Sequence, residues 1–333
     1  MRIIFMGTPD YAAAALKAIH EAGHEIALVV TKPDKPVGRG GKVVFSAVKT
    51  LALELELPVF QPKRIRDPEA VERLREADAD IGVVAAFGQI LSEEDLNVPR
   101  LGCVNIHASL LPRYRGSSPI QQAILDGMTV TGVTIMRMDA GVDTGDILLQ
   151  EECPIAKDET AGGLFDKLSA LGASLIVKAL PMIEAGELTP VKQDETQVTL
   201  THPIGKEMGL IRWHQSAESI ERQIRAASPW PSAFTRLPDG RLIKIWQAEA
   251  WKLTVSGEAD GGRIDPADRC VEWPDNGEAV PGRVLTVENG KSFFVACGSG
   301  CLRVLAVQLE GKKRMSVHDF LLGFQAEAGL LFV

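Results

Sequence analysis

The chain has little of what a metal centre, a membrane span or a dinucleotide site requires. Among its 333 residues are five cysteines, Cys103, Cys153, Cys270, Cys297 and Cys301, an odd number at irregular spacing. Cys297 and Cys301 have no second Cys or His pair nearby to complete a zinc site, so reduced thiols and no metal are expected. Apolar stretches are broken by glycine or charge well short of the ~18–20 residues of a membrane span. The opening run RIIFMG is too short for a signal-peptide core and stops at Gly7-Thr8-Pro9-Asp10. A first buried strand and a cytoplasmic protein are therefore expected. The same turn lacks the GxGxxG spacing that a dinucleotide pyrophosphate needs. Net positive charge is missing as well: 36 Lys and Arg stand against 44 Asp and Glu. That balance argues against binding nucleic acid over the whole surface. No segment is repeated.

What is present is unevenly placed. Residues 1–200 hold 20 basic and 28 acidic residues, whereas 201–333 hold 16 of each. Within the second part, 256–279 has 7 acids and 2 bases, and without it the remainder carries +5. An acidic half beside a mildly basic one suits a catalytic domain joined to a module that touches a polyanion. The length suits two domains at ~100–200 residues each. The expected division is a catalytic domain over 1–188, a polar linker over 189–204, and a second domain over 205–333. Residues 256–279 read as an exposed acidic loop inserted in that second domain.

Strand-like and helix-like segments alternate through the first half. Arg2–Gly7, Glu25–Thr31, Ile81–Ala86 and Cys103–His107 read as strands, the third an apolar run without alternation, as in a strand covered on both faces. Pro9–Glu21, Ser46–Glu54 with Ser46 as N-cap, and Asp67–Ala77 read as helices. Val130–Met138 and Gly145–Gln150 add strands around an Asp-rich loop, and Thr160–Ala185 reads as a long closing helix. The pattern implies an α/β domain with a doubly wound, Rossmann-like sheet. After a helix over His214–Ala227, with Ser216 as a plausible N-cap, short strands separated by turns suggest a small β-barrel of OB type. Ligands of doubly wound sheets sit beyond the carboxyl ends of the strands. That rule directs attention to Gly7–Asp10, Thr31–Gly41, Ala85–Leu91 and Asn105–Pro112.

The last of these carries the chemistry. Asn105 and His107 stand at i and i+2 at a strand end, so their side chains share a face. Asp143 follows in the loop MDAGVDTGD. An amide and a protonated imidazole can donate to a developing oxyanion, and a carboxylate can orient the imidazole and favour its charged form. The trio suits acyl transfer without a protein nucleophile. Taken alone, a histidine at a strand end is also compatible with a purely structural role. Cys103 shares the face of Asn105 at greater depth.

The Asn-x-His pair, the following SLLPRYRG and the later MDAGVDTGD resemble the folate-dependent formyltransferases. The resemblance implies 10-formyltetrahydrofolate as one-carbon donor and Asn105, His107 and Asp143 as catalytic residues. It implies a folate site formed by Phe87, Gly88, Ile90 and Leu91, by Ser109, Leu110, Leu111 and Pro112, and by Asp139 and Gly141. The opening IIFMGTPDYAAAAL, the loop TKPDKPVGRGGK and the second domain with Ser228-Pro229-Trp230-Pro231 resemble the branch of the family that acts on methionyl-tRNA. That branch implies initiator methionyl-tRNA as acceptor; an amino sugar or nucleotide amine is the alternative. Lys32, Lys35, Arg39 and Lys42 face only Asp34 in a loop with two Pro and three Gly, which suits a basic clamp that orders on RNA. In the second domain Arg222, Arg225, Lys312, Lys313 and Arg314 are candidate phosphate contacts. A monomer with no membrane partner is expected. Two features depart from the family's pattern: the length and acidity of 256–279, and Ile211-Arg212-Trp213, where an acid is expected two residues before the tryptophan.

Overall fold

The computed structural model of the chain describes residues 1–37, 42–256, 263–265, 267, 269–274, 279–288, 290–324 and 328–333. The chain forms two compact units. One comprises 1–120, 129–156 and 163–203; the other comprises 121–128, 157–162 and 204–333.

The first unit is built on seven strands: β1 (Arg2–Gly7), β2 (Glu25–Val30), β3 (Val59–Phe60), β4 (Ile81–Ala85), β5 (Cys103–His107), β6 (Val130–Arg137) and β7 (Ile147–Pro154). They lie in the order β7-β6-β5-β4-β1-β2-β3. All five residues of β4 are buried, as its unbroken apolar run requires. The five strands from β5 to β3 are mutually parallel, whereas β6 and β7 add an antiparallel edge. The chain order reverses between β1 and β4, which makes the loops after those strands neighbours at a topological switch point.

Helices cover the sheet. α1 (Asp10–Glu21) buries Tyr11, Ala12, Ala15, Leu16 and Ile19 along one stripe. α2 (Ala47–Glu54) begins where expected, with the Ser46 hydroxyl accepting from the Lys49 N–H at 3.1 Å. α3 (Pro68–Glu76) and the single turn α4 (Glu93–Leu96) flank β4 in sequence. α5 (Pro119–Leu125) follows β5 in sequence but belongs from Gln121 onward to the second unit, whereas the 25-residue α6 (Ala161–Ala185) follows β7. By length and composition α6 could cross a membrane. Its Leu164, Leu168, Leu175, Ile176, Ala179 and Leu180 are buried, which is how a core helix of a globular unit reads.

The second unit is a small, mainly antiparallel β domain. Its strands are β8 (Ala233–Arg236), β9 (Leu242–Ser256), β10 (Arg263–Asp265), β11 (Cys270–Pro274), β12 (Val284–Glu288), β13 (Ser292–Ala296), β14 (Cys301–Leu309) and β15 (Met315–Ser316). The ladder runs β10-β11-β9-β14-β13-β12, with β8 on β9 and β15 on β14. Helices α7 (Ala217–Ala226) and α8 (Val317–Gly323) contribute Ile220, Ile224, Val317 and Phe320 to the same core as Phe293, Val295, Leu302 and Val304. Ser216 caps α7 through the Ser219 N–H at 3.1 Å. Trp213 belongs to this core: it stacks on Phe332 with ring centroids 5.6 Å apart and donates to the Thr235 hydroxyl at 3.1 Å.

The structure corrects the reading of 256–279 as a loop. β9 runs on to Ser256, and β10 and β11 lie within the acidic stretch, β11 pairing in parallel with the end of β9. Val271 is fully buried. Composition averaged over the stretch concealed a short run, Cys270-Val271-Glu272-Trp273, that alternates as a strand does.

Candidate active site

β5 delivers Asn105 and His107 to one face of its carboxyl end, opposite Met136 and Thr134 of β6. His107 is 5% exposed and Asn105 is half-buried. The loop between β6 and β7 brings in Asp143, whose φ of 54° places a non-glycine residue in the left-handed region.

The three polar groups meet. The Asn105 Nδ2 donates to Asp143 Oδ1 at 3.3 Å, and His107 Nδ1 lies 3.5 Å from Asp143 Oδ2. That second oxygen also accepts from the Gly116 N–H at 2.8 Å. On the other side of the ring, His107 Nε2 is 3.0 Å from the Tyr114 carbonyl. Both ring nitrogens thus face oxygen atoms, one a backbone carbonyl and the other a carboxylate. The chain from Tyr114 to Gly116 is pinned in turn, with Tyr114 N–H donating to the Thr199 hydroxyl at 2.8 Å and Arg115 N–H to the Thr199 carbonyl at 2.9 Å.

A protein nucleophile is missing from this constellation among the described residues. Cys103 is buried, and its thiol is pushed up to about 12 by loss of hydration and by the nearby Asp95. Ser109 is fully buried and donates to the Arg113 carbonyl at 2.6 Å. All five cysteines are free thiols.

The expected folate residues divide by what they offer. Phe87 and Leu91 bury their side chains in the core beneath the sheet end, so only their backbones are available. Ile90 is 64% exposed. Gly88 has φ of 72°, and the Lys32 ammonium lies where any Cβ there would sit. Among the described residues, the N–H groups of Gly88, Ile90 and Leu91 have no partner within the chain. Free backbone donors beside an exposed apolar side chain fit a flat heterocycle that both stacks and accepts hydrogen bonds. Leu111 is buried, its N–H donating to Thr134 Oγ1 at 3.1 Å and its carbonyl accepting from Gln150 at 2.9 Å. Leu110 and Pro112 are half-buried. Asp139 accepts from the Gly141 N–H at 3.0 Å and from Thr144 Oγ1 at 2.6 Å, which shapes the loop that carries Asp143.

The basic residues separate in the same way. Lys35 is exposed in the ribbon formed by Lys35–Val37 and Lys42–Val44. Arg39 and the Lys42 side chain lie outside the described residues. Arg225 pairs with Glu221 through two nitrogens, at 2.6 and 3.0 Å, and donates to the Glu159 carbonyl at 3.0 Å. Arg222 lies against Gly127 and is half-buried. Lys312, Lys313 and Arg314 are exposed. Sequence reasoning missed Trp246, over whose ring Arg314 lies at 5.2 Å and Lys244 at 5.6 Å. It had no local signal, because the turn before β15 and the strand β9 meet only in the fold.

Residues 1–180 match the formyl transferases, and residues 203–325 match the formyl transferase C-terminal domain. The chain belongs to the formyl transferase family. A methionyl-tRNA formyltransferase of Lachnospira eligens is 51% identical over 332 residues, 99% of each chain. One from Geobacter metallireducens is 44% identical over 331 residues, covering 99% of this chain and 98% of its own. Among solved structures, WlaRD, a sugar 3N-formyl transferase, superposes with a TM-score of 0.61 at 20% identity, covering 94% of this formyl transferase and all but 1% of its own chain, 99%. HypX from Aquifex aeolicus gives 0.60 at 15% identity, over 98% of this chain and 48% of that one. At such identities these two likenesses concern the fold alone.

Proposed function

We propose that this formyl transferase moves the formyl group of 10-formyltetrahydrofolate to the α-amine of initiator methionyl-tRNA, in the cytoplasm. The observation that carries the chemistry is the meeting of Asn105 and His107 at the Asp143 carboxylate, 3.3 and 3.5 Å from its two oxygens, with no nucleophile beside them among the described residues. The acceptor is supported by relatives named methionyl-tRNA formyltransferase that are 41–51% identical over nearly the whole chain.

The folate supplies an electrophilic formyl carbon and, in N10, a nitrogen able to leave. Asn105 has two N–H groups; one is held by Asp143, and the other is free to donate to the oxygen that gains charge as the amine attacks. His107 is anchored at Nε2 by the Tyr114 carbonyl. A proton on Nδ1, only loosely engaged by Asp143 at 3.5 Å, is the second donor. The Asp143 carboxylate takes up the proton that the amine releases, directly or through water. The amine adds first, which places the charge on the formyl oxygen; N10 then takes up a proton, returned from Asp143 or water, and leaves as the carbon–N10 bond breaks, so no acyl group passes through the chain. Holding amine and formyl group together supplies much of the remaining rate.

The test is to mix the protein with 10-formyltetrahydrofolate and charged initiator methionyl-tRNA and assay formylmethionine. Rapid formylation, absent with uncharged tRNA, is the expected result. Retained folate binding without transfer would keep the catalytic reading and point to an amino sugar or nucleotide amine as acceptor. In the same assay Arg39→Ala is expected to raise the KM for tRNA and leave that for folate unchanged; unaltered tRNA kinetics would remove the clamp.

A further inference from the structure

The segment expected to be a plain linker is bonded into the site. Residues up to Pro203 belong to the first unit. Val191 and Ile147 exchange backbone hydrogen bonds at 2.8 and 2.9 Å. Leu200–Thr201 pairs in parallel with Arg115–Gly116, and Thr199 holds Tyr114 and Arg115 as described above. Between these two grips lies Gln193, 9% exposed. Its Nε2 donates to the Asp143 carbonyl at 2.8 Å and to the Gly145 carbonyl at 2.7 Å. Its Oε1 accepts from Arg115 Nε at 2.9 Å. Arg115, 4% exposed, completes the arrangement with Nη2 and Nη1 on the Glu195 carboxylate at 2.7 and 3.3 Å.

We propose that Gln193 is a positioning residue for the transfer reaction: by clamping the carbonyls on both sides of Thr144, it holds Asp143 in the left-handed conformation that aims its carboxylate at Asn105 and His107. The proposal rests on the assignment of Asp143 to the chemistry. A non-glycine residue at φ of 54° persists only where its surroundings hold it there. Both N–H groups of the Gln193 amide are committed to that loop. Arg115 fixes which way the amide faces, because its Nε can only donate and therefore requires the oxygen on its side. Glu195 fixes Arg115. The connector thus reaches the Asp143 loop from one end and the Tyr114–Gly116 segment from the other, and these two segments supply the groups that flank His107.

Two variants separate positioning from packing. Gln193→Glu keeps the volume and the partner of Arg115 but turns two donors into acceptors against two carbonyls. Gln193→Met removes the donors and keeps the bulk. Both are expected to lower kcat on the order of 10²-fold, the scale of a small misplacement of a reacting group. The KM for folate and for tRNA should stay near those of the unaltered protein, and both variants should still melt cooperatively, at a midpoint lowered by the two carbonyls left unpaired. The decisive comparison places Gln193→Met on Asp143→Asn. If Gln193 acts through the carboxylate, its loss costs nothing further there. A Gln193→Glu protein with unaltered kcat would overturn the proposal, and so would losses that multiply in the double variant. The unaltered protein is assayed alongside: its failure to formylate charged tRNA would sink the functional reading itself, whereas normal transfer with indifferent Gln193 variants would sink only this inference.

Discussion

His107→Ala is expected to lower kcat by about 10²–10³-fold, the scale of losing one oxyanion donor, while folate binding survives. The imidazole sits at the end of β5 rather than in the core, and its neighbours are the Tyr114 carbonyl and the Asp143 carboxylate. Alanine leaves the carboxylate with its bonds from Gly116 and Asn105, so the loop keeps its shape. What disappears is the imidazole donor opposite Asn105. Single-turnover formylation, with folate binding and a melting curve as controls, reads the effect. Turnover close to that of the unaltered protein would end the catalytic role of His107.

Much of this site was legible because it is local. Asn105 and His107 share a face by the period of a strand, and a strand end in a doubly wound sheet is where ligands bind. Asp143 follows in a glycine-bounded loop that a short chain connection can bring back to β5. That connection also carried an unused signal: residues 138–146 are too few for a crossover between parallel strands, which takes a dozen or more, so β6 and β7 had to be antiparallel. Arg225 illustrates another readable feature, since Glu221 precedes it by four residues on α7 and such pairs meet on a helix.

Other parts could not be read from spacing. Gln193 and Arg115 are 78 residues apart and bond only because the connector returns along Arg115–Gly116. Nothing in a polar connector's composition distinguishes a residue that clamps a loop from one that faces water. Lys32 reads from the sequence as part of a basic clamp on RNA, and nothing in that reading tells that its ammonium lies over Gly88, within the expected folate loop. The strands inside 256–279 were masked by the acids around them. In each case the deciding contact is long-range, and periodicity carries no information about it.

Asp143→Asn tests the carboxylate itself and is expected to have the larger effect. The two carboxylate oxygens accept from Asn105 and Gly116, and the second also faces His107. Asparagine offers one acceptor oxygen. If that oxygen serves Gly116, the new NH2 faces the Asn105 amide, donor against donor; if it serves Asn105, the NH2 faces Gly116 and His107. Either orientation loses a bond, removes the negative charge beside the imidazole and leaves no group to take the proton from the attacking amine. The backbone is not disturbed, because asparagine tolerates the left-handed region as aspartate does and Gln193 grips carbonyls rather than the side chain. The fold and the folate KM should therefore persist while kcat falls by about 10³–10⁴-fold, as when the carboxylate of a histidine–carboxylate pair is replaced by its amide. A loss smaller than tenfold would mean that Asn105 and His107 carry the transfer alone, with the amine proton leaving to water.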